Sequence, residues 1–161
     1  MNLLNSTEEG NETTTTGRNK VYSCTICKKW VDSSAKHCGE CNKCVKGFDH
    51  HCLWLNNCIG SRNYRSFFIL ICVYLAHAIF SLNLSISVSY MDQVEDDDRG
   101  VIHYGKFVLS LGGILIETIR TTAILLLVIW HIYLSRIGIT TYQFLVEKEE
   151  LEKLKLSYDL K

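Results

Sequence analysis

Two long apolar stretches dominate the second half of the chain. The first, Phe67 to Tyr90, has no charged residue; Phe67 through Leu75 is almost wholly apolar, and the remainder alternates serine with aliphatic side chains. About 20 helical residues cross a bilayer core, so the pattern predicts a transmembrane helix over 67–90. Ser81, Ser85, Ser87 and Ser89 fit such a helix by bonding back to its own carbonyls. The second stretch, Val108 to Leu134, predicts another membrane helix over 107–135. Glu117 and Arg120 interrupt it. They stand three apart on one helix face, where they can pair, and charges at that depth should face protein or water. Trp130, His131 and Tyr133 suit an interfacial aromatic belt. A loop over 91–106 separates the two spans. Beyond them, 136–161 reads as a cytosolic amphipathic tail, with Leu145, Leu151, Leu154 and Tyr158 at helical spacing and Glu149 four before Lys153. Residues 1–20 are polar, include Thr13 to Thr16, and predict a disordered tail. Between that tail and the first span, 21–65 has short spacers and too few aliphatic side chains for a core of its own.

Charge sets the expected orientation. The 161 residues carry 17 basic and 17 acidic side chains, so no global attraction to nucleic acid is indicated. The distribution is uneven: 18–65 carries nine Lys/Arg against three Asp/Glu, and 91–106 carries five acidic residues against two basic. Arg62 and Arg65 precede the first span and Arg136 follows the second. The positive-inside rule then places both ends in the cytosol and the acidic loop in the lumen. Cysteine usage agrees. Seven of the eight cysteines fall between positions 24 and 58, in paired spacing, and Met1 to Lys20 holds no apolar core of a signal peptide. This argues for metal rather than disulfides, in a reducing compartment. The sequons at Asn5 and Asn11 are read as chance in an Asn/Thr-rich tail. Cys72 is read as a small lipid- or helix-facing residue, and His77 and His131 as polar helix positions.

The segment 21–65 holds the chemistry. Three Cys-x2-Cys pairs occur, 24/27, 38/41 and 41/44, the last two sharing Cys41. Such turns present two sulfurs on one side of a tight knuckle, and closed zinc sites take four Cys or His ligands. With His37, His51, Cys52 and Cys58 the inventory is nine, and two closed sites need eight. Spacing does not say which ligands share an ion, nor which cysteine is spare. His50 and Cys52 are both candidates for chemistry, beside Asp49. Apart from the Cys-x2-Cys units no internal repeat is evident. The expected fold is an α-helical membrane protein with two transmembrane helices and a small zinc-stabilised cysteine-rich domain of hairpins and knuckles.

The order Cys-x2-Cys-x9-His-Cys-x2-Cys-x2-Cys-x4-Asp-His-His-Cys-x5-Cys, with Trp54, Asn56 to Gly60 and Asn63, resembles the cysteine-rich domain of the DHHC-type protein S-acyltransferases, the palmitoyltransferases. Thr140-Thr141-Tyr142-Gln143 is similar to that family's Thr-Thr-x-Glu motif, with Gln for Glu. The resemblance implies two structural zinc ions, one held by Cys24, Cys27, His37 and Cys44, the other by Cys38, Cys41, His51 and Cys58. It leaves Asp49, His50 and Cys52 for catalysis. Cys52 would take a long-chain acyl group from acyl-CoA, and cysteines of membrane-associated substrate proteins would receive it. An ordinary thiol, near pKa 8.5, is largely protonated at cytosolic pH. His50 would take the proton, and Asp49 would orient His50. The bilayer is an implied partner, nucleic acid is not, and Golgi or endoplasmic reticulum membranes are the expected location. Leu53 stands where the family commonly has Pro, and the usual Pro and one Arg are missing from Trp30 to Lys36. The family usually has two membrane helices before the cysteine-rich domain, which this chain is expected to lack. A truncated, inactive zinc-binding membrane adaptor or dominant-negative isoform is the alternative expectation.

Overall fold

The computed structural model describes residues 13–16, 19–95 and 101–160. They fall into two units, one running to Arg65 and resuming at Ile139–Lys161, the other Ser66–Gly138. In the first unit, seven short strands precede the helices: β1 (Thr13–Thr16), β2 (Asn19–Cys24), β3 (Lys29–Asp32), β4 (Lys36–Cys38), β5 (Lys43–Val45), β6 (His50–Cys52) and β7 (Asn57–Ile59). They form one three-stranded antiparallel sheet, β1-β2-β3, and two hairpins, β4-β5 and β6-β7. Residues 1–20 were expected to be a disordered tail; most of that stretch lies outside the described residues, and Thr13–Thr16 and Asn19–Lys20 are strand.

A repeat the residue pattern did not disclose organises these strands. Hairpin pairs Cys24↔Lys29 and Ser23↔Trp30, then Cys38↔Lys43 and His37↔Cys44, then Cys52↔Asn57 and His51↔Cys58 share one register. Equivalent positions recur every 14 residues, as at Cys24, Cys38 and Cys52. Each hairpin turns through a residue with positive φ: Lys28 at 51°, Asn42 at 47° and Asn56 at 45°. Asparagine tolerates the left-handed region through its short polar side chain, so two of the three turns carry a suited residue. The repeat escaped sequence reading because only the ligands and turn residues recur, while the spacers differ.

In the second unit, α1 (Tyr64–Glu95) and α2 (Val101–Ile137) are 32 and 37 residues long. At 1.5 Å per residue, either exceeds the ~30 Å of a bilayer core. Both run past the expected spans into 91–106, where only 96–100 lie outside the described residues. The helices contact each other along one face, with Phe67 edge-on to His131 (centroids 5.0 Å), the Thr121 hydroxyl donating to the Ala78 carbonyl at 3.4 Å, and Ser110 bonded to Ser89. Phe67, Ile71, Ala78, Val128 and Leu134 are buried there, while Ile69, Val73, Phe80, Leu109, Ile116 and Leu126 are exposed. Exposed aliphatic residues over such a length suit a lipid surround. Glu117 and Arg120 pair as expected, and Arg120 lies over the Tyr74 ring, 6.0 Å from its centroid, so the pair faces α1. His131 departs from the belt reading: it is buried at 2% exposure against Phe67.

The final helix, α3 (Thr141–Asp159), belongs to the first unit. Thr140 caps it. The Thr140 hydroxyl accepts the Gln143 N–H at 3.2 Å, and the Gln143 carboxamide accepts the Thr140 N–H at 2.8 Å. This reciprocal box works with Gln as with Glu, so the departure at Gln143 leaves the local geometry whole. Phe48 packs edge-on to Tyr142 (5.7 Å) and Lys36 lies over the same ring (5.3 Å), which fastens the first turn of α3 to the hairpins. The apolar residues beyond that turn, Leu145, Leu151, Leu154 and Tyr158, are exposed.

Candidate active site and metal centres

Strand alternation sorts the ligands. Neighbouring residues of a strand point to opposite faces, so His37 and Cys38 on β4 must serve different clusters, and on β6 His51 must part from His50 and Cys52. Cys24, Cys27, His37 and Cys44 converge with their ligand atoms within 4.8 Å of one another, and so do Cys38, Cys41, His51 and Cys58. Each cluster thus takes a knuckle from one repeat and a cross-strand His–Cys pair from the next.

The distances test whether a tetrahedral metal fits. Bonds of about 2.3 Å to sulfur and about 2.0–2.1 Å to imidazole imply edges of roughly 3.6–3.8 Å. In the first cluster, His37 Nδ1 lies 3.9, 3.2 and 3.8 Å from the sulfurs of Cys24, Cys27 and Cys44, and Cys44 Sγ lies 3.6 Å from Cys27 Sγ. In the second, His51 Nδ1 lies 3.8, 3.3 and 3.7 Å from Cys38, Cys41 and Cys58. The eight residues therefore present two preformed tetrahedral donor sets of the kind that holds structural zinc. The metal-free electrostatics point the same way. Burial pushes the Cys44 thiol up to about 12, helped by the Cys24 and Cys27 sulfurs, and burial does the same to Cys58 beside Cys41 and Cys38. Burial would raise Cys24 too, but hydrogen bonds, led by the Cys27 amide, outweigh it and lower that thiol. Such crowded sulfurs resist sharing negative charge until a cation joins them.

Cys52 occupies the first-ligand place of the third repeat. The place of its second ligand, at 27 and 41 in the other repeats, is taken by Leu55, and the chain enters α1 before a fourth hairpin forms. Cys52 lies in neither tetrahedral set and is a buried residue, 9% exposed. Beside it, Asp49 Oδ2 lies 2.7 Å from His50 Nδ1. Asp49 is 3% exposed. Its own N–H donates to the Ile59 carbonyl at 2.9 Å, fixing it at the mouth of the β6-β7 hairpin.

Thr141 completes the arrangement across 92 residues of sequence. Its N–H donates to Asp49 Oδ1 at 2.9 Å and its hydroxyl to Oδ2 at 2.8 Å. Burial works to raise the Asp49 carboxyl, but His50 and the two bonds from Thr141 outweigh it and hold the group below the usual carboxylate range. Asp49 is thus a buried carboxyl engaged by the His50 ring and by both the N–H and the hydroxyl of Thr141.

A family model, DHHC palmitoyltransferase, matches residues 18–148. The chain belongs to the DHHC palmitoyltransferase family. No curated protein matches it. The match takes in all three hairpins, both apolar helices and the cap of α3. Membership agrees with the expected fold of two long apolar helices and a small hairpin domain with two Cys/His clusters. Within this DHHC protein, the structure brings the four residues of each expected ligand set together and joins Asp49 to His50, two of the three expected catalytic residues. Sequence reading did not find that Thr141 binds Asp49; the Thr-Thr-x-Gln run was the available signal, without a partner attached. Nor did it single out Leu55, whose signal was the 14-residue repeat.

Proposed function

We propose that this DHHC-family protein is a protein-cysteine S-palmitoyltransferase working through an acyl-Cys52 intermediate. The observation that carries the reading is the buried Asp49 bound to His50, which stands two residues along β6 from Cys52, a cysteine outside both ligand clusters. His50 and Cys52 share a face of β6. His50 takes the Cys52 proton, and Asp49 stabilises the imidazolium. The Cys52 sulfur attacks the thioester carbonyl of a long-chain acyl-CoA. The carbon–sulfur bond to CoA breaks, and CoA leaves with the proton from His50. A substrate cysteine then gives its proton to His50 and attacks the acyl-Cys52 carbonyl; the Cys52–acyl bond breaks and the sulfur recovers its proton. Two zinc ions, held by Cys24, Cys27, His37 and Cys44 and by Cys38, Cys41, His51 and Cys58, keep the hairpins folded.

The product is a reversible lipid anchor on a membrane-associated protein. In this reading α1 and α2 span the bilayer of the Golgi or endoplasmic reticulum, with the hairpins and α3 on the cytosolic side. The test is labelling in cells with a clickable fatty acid. The full chain acquires hydroxylamine-sensitive label and Cys52→Ser does not. A zinc-bearing adaptor without acyl chemistry would give no Cys52-dependent label in either.

A further inference from the structure

Two bonds to one carboxylate leave a helix end free to swing about it, so the contact of Thr141 with Asp49 does not by itself orient α3. The Thr141 N–H is also one of the four that open a helix without an internal partner, and it turns to water whenever Asp49 moves away. The neighbouring residues remove that freedom. Phe48 lies edge-on to Tyr142, with ring centroids 5.7 Å apart and planes at 72°. The residue before Asp49 thus meets the residue after Thr141, and the two segments engage at two successive points. Lys36 Nζ lies 5.3 Å from the centroid of the same ring. Tyr142 is therefore gripped from two places, by Phe48 just ahead of β6 and by Lys36 at the start of β4. All three residues are half-buried.

Both gripping residues stand on fixed backbone. His37 and Cys38, which follow Lys36, each enter one of the two ligand clusters. Ala35, before it, is 3% exposed; its carbonyl accepts the Tyr22 hydroxyl and its N–H donates to the Asp32 carbonyl, both at 2.8 Å. Phe48 is followed by Asp49, whose N–H is bonded to the Ile59 carbonyl. By contrast, α3 has no buried residue among those described, so its first turn carries the docking. Edge-on aromatic pairs and cations over a ring have preferred geometries, so they set orientation as well as add strength. A half-buried cation is weakly screened, which favours the Lys36 contact.

We propose that Tyr142, gripped by Lys36 and Phe48, is a positioning residue for acyl-Cys52 formation: it holds Thr141 in register with Asp49. Its effect on rate rests on the acyl-transfer reading; its effect on Thr141 does not.

The test uses the zinc-loaded chain in phosphatidylcholine nanodiscs, with two readouts: deuterium exchange at the Thr141 amide, and single-turnover acyl-Cys52 formation from palmitoyl-CoA. Tyr142→Leu is expected to speed that exchange by about tenfold and to slow acylation by about tenfold at saturating palmitoyl-CoA, with the half-saturating concentration unchanged. Lys36→Met is expected to move both readouts the same way by about threefold. Tyr142→Phe and Lys36→Arg keep the ring and the cation and should stay near wild type. If Tyr142 acts through Asp49, Tyr142→Leu loses most of its effect on rate in an Asp49→Asn background. Zinc content and far-ultraviolet circular dichroism establish that the variants are folded. The proposal is overturned if Thr141 exchange is unchanged in Tyr142→Leu, if Tyr142→Phe loses as much as Tyr142→Leu, or if the losses of the double variant multiply in full. A wild type that forms no acyl-Cys52 sinks the acyl-transfer reading instead, and Thr141 exchange in Tyr142→Leu and Lys36→Met still decides whether the grip holds Thr141.

Discussion

At the scale of single residues, the proposed site turns on Asp49, His50 and Cys52. Asp49 is buried and bonded three ways, so its loss should cost more than a charge. Asp49→Asn is expected to slow acyl-Cys52 formation by roughly a hundredfold or more, through loss of His50 orientation, with both zinc ions retained; rapid-quench kinetics with metal analysis checks this. The pH dependence follows from the lowered Asp49 carboxyl. Its folded value lies below the unfolded ~3.9, so the stabilisation is fully present above that value and is lost as pH falls through the folded one. The stability gap between wild type and Asp49→Asn should therefore shrink as pH falls below about 4 in denaturation experiments; a gap that stayed constant through that fall would contradict the assignment. Leu55 matters for the opposite reason. It stands where a second knuckle ligand would be, so Leu55→Cys should draw Cys52 into a dithiol that binds metal or oxidises, and suppress acylation. Cobalt-substituted protein would report the added thiolate ligation directly. The individual candidates Asp49, His50 and Cys52 were legible in the sequence because their residue types carry their chemistry. Thr141 was not, since a hydroxyl 92 residues away gains meaning only when the fold brings it to a carboxylate.

At the scale of elements, the hairpins and the cap of α3 act together. Thr140 closes a capping box, and the next residue is the one that binds Asp49. Thr140→Ala should cost about 1 kcal/mol of local stability, within the usual range for a lost N-cap. It should also loosen Thr141, raising amide exchange at the start of α3 and lowering the acylation rate; exchange unchanged at that turn would show that the cap does not govern it. The lengths and apolar character of α1 and α2 were legible because hydrocarbon burial demands long unbroken runs. The burial of His131 was not, because an imidazole at a helix end suits an aqueous interface as readily as a packed contact with Phe67. The 14-residue repeat was hidden for a related reason: metal and turn geometry constrain only a few positions in each hairpin, and the intervening residues are free to differ.

For the whole molecule, the hairpin unit and the apolar helices are held by different forces. The hairpins have a sparse core built around two Cys/His clusters that could hold a metal ion, whereas α1 and α2 carry their own backbone hydrogen bonds and apolar surface. A strong zinc chelator should abolish strand structure and acylation while leaving the helical signal of α1 and α2 largely intact. The central claim is narrower than this and can be tested more directly. The zinc-loaded chain is incubated with palmitoyl-CoA, and the site of the adduct is mapped by tandem mass spectrometry before and after hydroxylamine. The account predicts a palmitoyl thioester on Cys52, removed by hydroxylamine and absent from Cys52→Ser protein that retains two zinc ions. A palmitoyl group found on another cysteine, or label undiminished in Cys52→Ser, would contradict it.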